Sequence, residues 1–256
     1  MSSPIVTLTT DWGYSSFFAG MVKGRLYSAI PDVRVVDISH SLKPYDLVSA
    51  AFVIQNACMG FPAGTVHIID ILSEEQEGQG FLAVQYNSQF FLCTNNGLPY
   101  SLFGNAYQQV VELNAFWTSK FYNFAAYEIF CQAATSLLSG MSLSGLGREV
   151  ALVERRLLRF IVSDGVIKTH VWHVDTYGNA YLDILYDELM EVLQNQSFDI
   201  NIRGVHINSI KVAYAECTQS ALTVSESGYM EVALYKNHAA DMLGLKVGDI
   251  VDIRIK

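Results

Sequence analysis

Three acidic residues stand where strands of a parallel sheet would end, and carboxylates in that position can bind polar ligands or accept protons. Asp11 follows one run of β-branched and apolar residues, Asp37 with Ser39 and His40 ends a second, and Asp70 lies in a third. Ligands of open parallel sheets bind beyond the carboxyl ends of the strands. These side chains are the first candidates for a functional site, although Asp and Ser also serve as ordinary helix caps and turn formers.

The segment that begins at Asp11 is the least ordinary of the three. Asp11 is followed by Trp12 and Gly13, which join a carboxylate to an aromatic face and a flexible backbone. A carboxylate accepts hydrogen bonds from a diol, and an aromatic ring packs against a planar base. This combination suits a ribose diol and its base.

A second candidate segment lies in the C-terminal part of the chain. Asp175, Tyr177 and Asn179 place an acid, an aromatic ring and an amide within five residues at a predicted turn. An Asn side chain can present both a donor and an acceptor to the edge of a purine. The alternative is a plain Gly-Asn turn between two strands.

Strands that alternate with helices must position the first group. The predicted elements are a strand at Ile5–Thr10, a helix at Phe17–Ile30, a strand at Val33–Ile38, a helix at Leu47–Phe61 with Asp46 as N-cap, a strand at Thr65–Leu72, a hairpin of Phe81–Tyr86 and Phe90–Thr94, a strand at Gln109–Leu113 and a helix from about Ala125 to Ser139. This alternation predicts an α/β domain with a mainly parallel sheet over residues 1–150. Short strands with one short helix near Asp187–Leu193 predict a smaller β domain over residues 157–256.

Several familiar catalytic signatures do not occur in the sequence. It has no G-x-G-x-x-G after a strand, no Walker A loop, no H-E-x-x-H and no G-x-S-x-G. His67, His170 and His173 alternate with apolar residues, which favours structural histidines over metal ligands. The four cysteines stand singly in apolar stretches, as reduced core cysteines do: Cys58, Cys93, Cys131 and Cys217. We expect no metal and no separate cofactor.

Composition narrows the class of partner. The net charge of −9 gives no electrostatic footprint for nucleic acid or for an anionic membrane surface. No apolar run approaches the roughly 20 residues of a membrane helix, and Met1–Pro4 leads into a strand without a leader pattern. We expect a cytoplasmic protein. Because only 16% of the residues are charged and 12% are aromatic, we also expect a homo-oligomer.

Motifs along nearly the whole chain resemble one family. They are Thr9-Thr10-Asp11-Trp12-Gly13, Gly20-Met21-Val22-Lys23-Gly24, Val36-Asp37-Ile38-Ser39-His40-Ser41, Phe61-Pro62-Ala63-Gly64-Thr65-Val66-His67, Asn95-Asn96-Gly97, Asp175-Thr176-Tyr177-Gly178-Asn179, Ser227-Gly228-Tyr229-Met230-Glu231-Val232-Ala233 and His238-Ala239-Ala240. Their order is similar to that of the S-adenosylmethionine (SAM) hydroxide adenosyltransferases, which are relatives of the fluorinase and chlorinase. The resemblance implies an α/β domain, a β-barrel-like C-terminal domain, and a homotrimer that binds SAM between the large domain of one subunit and the small domain of the next.

The resemblance also implies ligand roles for individual residues. Asp11 would hold the ribose hydroxyls beside Trp12 and Tyr45, Asp175 would bind the methionine ammonium, and Tyr177, Asn179 and the backbone near Ala239 would hold adenine. The other positions that the matched motifs place near the ligand are Asn96, Ser227 and Tyr229, and Ser16 stands where the family has an Asp near the methionine carboxyl and amino groups. The implied reaction is displacement at the ribose C5′ carbon, in which a nucleophile replaces methionine.

The sequence departs from the family where the water-using members carry their catalytic groups. Their Asp-Pro-Gly-Val-Gly segment corresponds to Leu72–Gln76, the Arg that follows it falls near Gln79 or Gly80, and the His of the large domain's helix corresponds to Ser136. Asp70 lies two residues before the expected acid and keeps the same strand face if the strand is two residues shorter, so Asp70 is the predicted catalytic residue.

Two further family positions differ as well. The Asp before the first helix is Ser16 here, and an Arg-Asp pair of the family is Tyr127-Glu128.

From the family resemblance we predict a SAM-cleaving enzyme that uses water and yields adenosine and methionine. The alternatives are a SAM- or adenosine-binding sensor or sink without chemistry, a pocket for another purine nucleoside, and a SAM-dependent halogenase. The acidic run Glu74-Glu75-Gln76-Glu77 would repel a halide if it faced the site.

Overall fold

A computed structural model describes residues 3–73, 79–114, 123–155 and 159–256. The chain divides into two compact units, Met1–Arg156 and Leu157–Lys256. The predicted combination of an α/β domain with a smaller barrel-like β domain is confirmed. Within the described ranges, every helix is too short or too polar to cross a lipid bilayer.

The first unit is built on one seven-stranded sheet. Its strands are β1 (Ile5–Thr10), β2 (Arg34–Ser39), β3 (Val66–Asp70), β4 (Phe81–Tyr86), β5 (Gln89–Thr94), β6 (Gln109–Leu113) and β7 (Gly147–Glu149). They lie in the order β2-β1-β3-β5-β4-β6-β7. Strands β2, β1, β3 and β5 are parallel neighbours, and β4, β6 and β7 continue the sheet antiparallel. The parallel half brings the ends of β1 and β3 side by side, with Thr10 opposite Asp70.

Among the described residues of this unit, five helices accompany the sheet: α1 (Phe18–Ala29), α2 (Leu47–Ala57), α3 (Leu98–Phe103), α4 (Cys131–Leu138), which a π-helical turn at Ala126–Phe130 precedes, and α5 (Leu143–Leu146). Val22 and Leu26 of α1 are buried in the same apolar core as Val6 and Leu8 of β1, because their i, i+4 spacing places them on one helix face. Asp46 is the N-cap of α2, and its carboxylate accepts hydrogen bonds from the backbone N–H groups of Val48 and Ser49.

The second unit is a nearly closed antiparallel sheet of eight strands. They are β8 (Ile161–Ser163), β9 (Val166–Val174), β10 (Ala180–Leu185), β11 (Phe198–Ile202), β12 (Val205–Ile207), β13 (Ala221–Val224), β14 (Tyr229–Ala233) and β15 (Ile250–Ile255), with helices α6 (Tyr186–Leu193) and α7 (Ala239–Leu243). The order is β12-β11-β15-β9-β10-β14-β13, and β8 pairs with β9. Ile167, Leu182, Met230 and Val232 belong to the apolar interior.

Candidate functional site

A cavity of about 190 Å³ lies at the carboxyl ends of β1 and β3. It is lined by Asp11, Trp12, Phe18, Tyr45, Asp70, Leu72, Ser73, Asn123, Phe124 and Ala125. The parallel pairing of the two strands forces Asp11 and Asp70 to the same edge of the sheet. Four of the predicted site residues, Asp11, Trp12, Tyr45 and Asp70, therefore line one cavity.

Asp70 is the most deeply placed acid of this cavity. Only 7% of the residue is exposed, and Oδ2 accepts a hydrogen bond of 2.8 Å from the indole Nε1 of Trp12. Burial raises the pKa of Asp70 to about 6; the nearby Asp11 carboxylate acts in the same direction and the Trp12 N–H opposes it. A carboxylate with this pKa is mostly ionised at pH 7 to 8 and can still accept a proton.

Asp11 is less buried and is held by the neighbouring loop. Its Oδ2 accepts a hydrogen bond of 3.1 Å from the backbone N–H of Tyr45. Burial raises the pKa of Asp11, and the bond from Tyr45 opposes this. Tyr45 has a left-handed backbone (φ 66°) and a 66% exposed side chain. The loop therefore fixes one carboxylate oxygen of Asp11 and places an aromatic ring beside it.

Three aromatic rings form the apolar wall of the cavity. The ring centroids of Trp12 and Phe124 are 5.4 Å apart in an edge-on arrangement, and Phe18 lies 6.1 Å from Trp12 and 5.0 Å from Phe124. Aromatic faces attract cations and exclude water. Phe18 and Phe124 were not predicted, because a single Phe in an apolar run carries no signal that it faces a cavity.

A chain of polar side chains supports Trp12 from behind. Thr10 Oγ1 shares a hydrogen bond of 2.6 Å with His40 Nδ1, and His40 Nε2 lies 3.1 Å from Asp37 Oδ1. Asp37 Oδ2 accepts a hydrogen bond of 2.5 Å from Lys23 Nζ. Burial acts to raise the pKa of Asp37, but Lys23 and His40 outweigh it and hold the pKa below its usual range. The Trp12 ring stacks on His40 at 5.7 Å, so these residues orient the indole.

The side chains of two other predicted residues of the first unit form hydrogen bonds to the backbone. Asn96 is buried; its Nδ2 donates to the carbonyls of Ile71 and Leu72, and its Oδ1 accepts from the N–H of Leu98 at the start of α3. Ser16 Oγ accepts from the N–H of Phe18 just before α1. Asn96 thus anchors the loop that carries Leu72 into the cavity, and neither residue is among those that line it.

The residues at which this sequence differs from the family do not all lie at the cavity. Ser136 lies on α4 and is not among the residues that line the cavity, whereas Leu72 lines it directly. Glu74, Glu75, Gln76 and Glu77 lie outside the described residues. At the Tyr127-Glu128 position, the Arg25 guanidinium lies 4.5 Å from the centre of the Tyr127 ring and 3.9 Å from the Glu128 carboxylate. Arg25 of α1 therefore lies against both residues of this pair.

The second unit has a larger cavity of about 640 Å³. It is lined by Asp175, Tyr177, Asn179, Tyr181, Tyr214, Glu226, Leu234, Tyr235, Lys236, Asn237 and His238. Three predicted residues, Asp175, Tyr177 and Asn179, are among them. The others come from β10, from the segment around Tyr214, from the turn with Glu226 between β13 and β14, and from the loop before α7. The sequence did not bring these segments together because they are distant along the chain.

The turn that carries these three residues is organised by Asp175. Its Oδ1 accepts hydrogen bonds from the backbone N–H groups of Tyr177 (2.9 Å) and Asn179 (2.8 Å), and its Oδ2 accepts from Asn179 Nδ2 (3.0 Å). Gly178 has φ +80°, and a Cβ atom there would lie 2.6 Å from His238 Cα. Glycine is therefore required both for the backbone conformation and for the close approach of His238.

Glu231 is a buried acid beside this cavity that the sequence reasoning did not single out. It is 0% exposed. Burial raises the pKa of Glu231, and both of its carboxylate oxygens lack a hydrogen-bond partner among the described residues. Burial and the Glu231 charge also raise the pKa values of Tyr181 and Tyr214. The available signal was Glu231 alternating with the apolar residues Met230 and Val232 in β14.

The remaining predicted residues of the second unit lie outside the lining of this cavity. Ser227 Oγ is 3.2 Å from Ser225 Oγ, Tyr229 packs edge-on against Trp172 at 5.3 Å, and buried Ala239 begins α7 next to His238. Of the predicted structural histidines, His170 Nδ1 lies 3.3 Å from Asp183 Oδ2. Among the described residues, no group of three His, Cys, Asp or Glu side chains could hold a metal ion.

Comparison with known proteins identifies the family to which the chain is similar. The sequence model of the SAM hydroxide adenosyltransferase N-terminal domain matches residues 6–147, and that of the C-terminal domain matches residues 169–252. The chain is 21% identical to the (R)-S-adenosyl-L-methionine hydrolase of Methanocaldococcus jannaschii over 97% of this chain and 95% of that protein. It is 26% identical to the hydrolase of the same name from Thermus thermophilus over 95% of this chain and 96% of that protein. An uncharacterized conserved protein from Thermotoga maritima has the same fold, with a TM-score of 0.87 at 20% identity over 98% of this chain and 99% of that one.

Proposed function

The chain belongs to the SAM hydroxide adenosyltransferase family, and from this we propose that it cleaves SAM with water to give adenosine and methionine. The observation that carries the proposal is the pair of carboxylates, Asp11 and Asp70, in one aromatic-walled cavity at the carboxyl ends of β1 and β3. A ribose acceptor, a proton acceptor and a face for a sulfonium cation are then present together.

The proposed reaction is a displacement at the ribose C5′ carbon. The water oxygen forms a bond to C5′ while the C5′–S bond breaks, the bonding electrons go to sulfur, and methionine leaves as a neutral thioether. One water proton is released. Asp70 is the proposed acceptor of that proton, because burial sets its pKa near 6 and the Trp12 indole fixes its Oδ2. Since the leaving group is neutral, the catalytic work is alignment and exclusion of competing water.

The other groups of the first cavity suit the rest of this ligand. Asp11 has one oxygen held by the Tyr45 N–H, and the ribose hydroxyls can donate to the carboxylate in charge-assisted hydrogen bonds. Trp12, Phe18 and Phe124 offer ring faces that attract a sulfonium cation. We place the ribose and the reacting carbon in this cavity, with no separate cofactor.

The second cavity suits the two ends of the ligand. Asp175 supplies a carboxylate for the methionine ammonium, and Tyr177 and Asn179 supply a ring and an amide for adenine. We propose that each SAM is bound by the first unit of one subunit and the second unit of its neighbour in a homotrimer. Light scattering in dilute buffer is expected to give three times the chain mass of 28.5 kDa. A monomer mass would refute the trimer.

Incubation of the protein with SAM tests the proposed reaction. Chromatography is expected to show adenosine and methionine formed in equal amounts, at a rate above that of SAM in buffer. In water enriched in ¹⁸O, the 5′-hydroxyl of adenosine is expected to carry the label, because water is the nucleophile. Asp32→Asn is the matched control, because Asp32 is exposed and lines neither cavity.

Other outcomes of the same assay would favour the alternatives. SAM that binds without breaking down would indicate a sensor or a sink. A 5′-chloro-adenosine product in chloride buffer would indicate a halogenase. 5′-Methylthioadenosine without methionine would show that the C5′–S bond is not the bond that breaks.

A further inference from the structure

The hydroxyl of Ser73 belongs to the wall of the first cavity and is not bonded to the described part of the chain. Ser73 lines this cavity together with Asp70, which precedes it by three residues. Its Oγ atom is buried and has no hydrogen-bond partner among the described residues. Burying an unpaired hydroxyl costs free energy, and buried polar groups of native proteins normally bond to the chain, to an ordered water or to a ligand. Ser73 is therefore a candidate to contact a molecule in the cavity.

The turn that leads to Ser73 is held by a buried side chain. Leu72 has a left-handed backbone (φ 50°), which costs energy for a residue other than glycine. Asn96 Nδ2 donates hydrogen bonds to the carbonyl oxygens of Ile71 (3.1 Å) and Leu72 (3.3 Å), and Asn96 itself is 3% exposed. Strained backbone persists where its surroundings fix it, and it concentrates at functional sites. The chain therefore keeps a strained, anchored turn between Asp70 and Ser73.

The other groups of this wall are apolar or already have a use. Asp11 and Tyr45 are assigned above to the ribose, and Asn123 is an exposed residue. The remaining lining residues are Phe18, Leu72, Phe124 and Ala125, which are apolar, and Trp12, whose indole N–H is donated to Asp70. The Ser73 hydroxyl is therefore the group of the lining that is left to bond to a molecule held by Asp70.

A water molecule that attacks carbon needs more than one partner. Buried waters make about three hydrogen bonds on average, and a water bound to Asp70 alone could still turn. A water that donates one hydrogen to Asp70 and the other to Ser73 Oγ keeps a lone pair for the ribose C5′ carbon. As its oxygen bonds to C5′, the C5′–S bond breaks, its electron pair goes to sulfur, and one water proton goes to Asp70. Ser73 neither gains nor loses a proton.

We propose that Ser73 is a second catalytic residue, which binds the attacking water together with Asp70. The inference rests on the proposed function, because it takes water as the nucleophile and this cavity as the place of the reacting carbon. The role of Ser73 is alignment: a water with two partners fixed by the chain has its lone pair directed at one carbon. Ser73 lies in the segment where this sequence departs from the family, so its hydroxyl is part of this chain's own arrangement.

Steady-state kinetics of SAM cleavage by Ser73→Ala test the proposal. We expect kcat to fall by about tenfold or more, while KM and the calorimetric affinity for adenosine change by less than about threefold, because the water and not the ligand loses a partner. The fall of the rate below pH 6 is expected to remain, since Asp70 is still the proton acceptor. Ser73→Thr keeps a hydroxyl and should retain most of kcat. Ser163→Ala, in the exposed strand β8, is the matched control.

Urea unfolding of the same variants separates this role from a structural one. Because the Ser73 hydroxyl has no partner in the described chain, its removal is not expected to lower the urea midpoint. A slower Ser73→Ala protein whose urea midpoint is also lowered would show that the hydroxyl supports the fold, and this overturns the proposal. A Ser73→Thr protein as slow as Ser73→Ala overturns it as well.

The outcomes also separate this inference from the proposed function. Equal kcat values for Ser73→Ala and the unaltered protein overturn the role of Ser73 and leave the hydrolysis of SAM standing. An unaltered protein that binds adenosine but does not cleave SAM refutes the hydrolysis, and the role of Ser73 is refuted with it. A selective loss of kcat in Ser73→Ala, restored in Ser73→Thr, supports both.

Discussion

At the scale of single residues, Asp70 shows how one acid is prepared for proton transfer. Its surroundings exclude water, which raises its pKa to about 6, while the Trp12 N–H fixes the orientation of its carboxylate. Proton acceptors work best when their pKa lies near the working pH. Asp11, only partly buried and bonded to the Tyr45 backbone, is instead suited to hold a diol. Two acids of one cavity therefore have different environments and different proposed roles.

Asp70→Asn is expected to abolish most SAM cleavage, by about 100-fold or more, while SAM affinity changes by less than about threefold. The amide keeps the shape of the side chain but cannot take up a proton. Cleavage by the unaltered protein is expected to fall below pH 6, since protonated Asp70 cannot accept a proton, and to level off above pH 7. Rates from pH 5 to 8 and calorimetry check this. Equal turnover in Asp70→Asn and Asp32→Asn would exclude Asp70 as the acceptor.

Asp11→Ala is expected to weaken adenosine binding by about 1.5–3 kcal/mol, or roughly 10- to 150-fold, because the ribose loses a charge-assisted acceptor. Asp11→Asn is the graded comparison, since it retains an acceptor oxygen and loses only the charge. Its affinity for adenosine should lie between those of the unaltered protein and Asp11→Ala. Titration calorimetry with adenosine measures both. An affinity unchanged in Asp11→Ala would place the ribose elsewhere.

At the scale of elements, periodicity was informative where a strand or helix had a clear buried face. Strand β1 and the cap of α2 at Asp46 match the prediction, and α2 ends at Ala57 rather than Phe61 because a turn from Cys58 to Phe61 follows it. The short helices α3 and α7 were missed, since five or six residues do not show a helical period. The predicted helix at 125–139 is a π-helical turn followed by α4, a difference of hydrogen-bond register that side-chain spacing does not reveal.

The way in which elements position the site residues also explains which of these residues could be predicted. Residues at strand ends and in turns, such as Asp11, Asp70 and Asp175, could be predicted because parallel topology and turn chemistry position them locally. Glu231 with Tyr181 could not, because their pairing depends on the antiparallel register of β14 and β10, which are distant along the chain. Likewise, Asn96 was predicted near the ligand, but its hydrogen bonds to Ile71 and Leu72 depend on how two loops meet.

Asp46→Ala tests the cap of α2. The alanine leaves the N–H groups of Val48 and Ser49 without their acceptor, and we expect a loss of about 1 kcal/mol in the free energy of unfolding. Asp46→Asn should retain most of that stability, because Asn is an equally good N-cap. Urea unfolding of the three proteins measures it. An equal loss in both variants would indicate that charge, rather than the cap hydrogen bonds, is responsible.

At the scale of the whole molecule, one buried histidine links stability to pH. His67 is 0% exposed, shares a hydrogen bond of 2.7 Å with Thr7 and stacks on Phe91 at 4.5 Å. Burial lowers its pKa from 6.5 to about 4. Because the unfolded chain takes up this proton first, the stability that neutral His67 contributes is present above pH 6.5 and is lost as the pH falls toward 4.

The free energy of unfolding of the unaltered protein falls between pH 7.5 and pH 5 as His67 resists protonation, and this fall is expected to be about 2 kcal/mol smaller in His67→Gln. The difference is expected even if His67→Gln is less stable than the unaltered protein at both pH values. Asp70 acts in the opposite direction, because its pKa is raised and its protonation in the folded state favours folding as the pH falls through 6. Asp70→Asn should therefore enlarge the fall in the free energy of unfolding between pH 7.5 and pH 5, and this variant serves as the internal comparison. Urea unfolding at pH 7.5 and pH 5 measures how far the free energy of unfolding of each protein falls. Parallel losses in His67→Gln and the unaltered protein would contradict the assignment to His67.

The position of Trp12 has a spectroscopic consequence. Its indole lies against the imidazole of His40 and donates to the carboxylate of Asp70 in the cavity where we place the reacting carbon. The chain has three tryptophans, and Trp172 packs against Tyr229 in the other unit. With Trp117 and Trp172 replaced by Phe, the remaining emission comes from one indole at the site. Proton uptake by Asp70 and arrival of a sulfonium ligand then become changes in intensity and wavelength that a stopped-flow fluorimeter can follow without an attached dye.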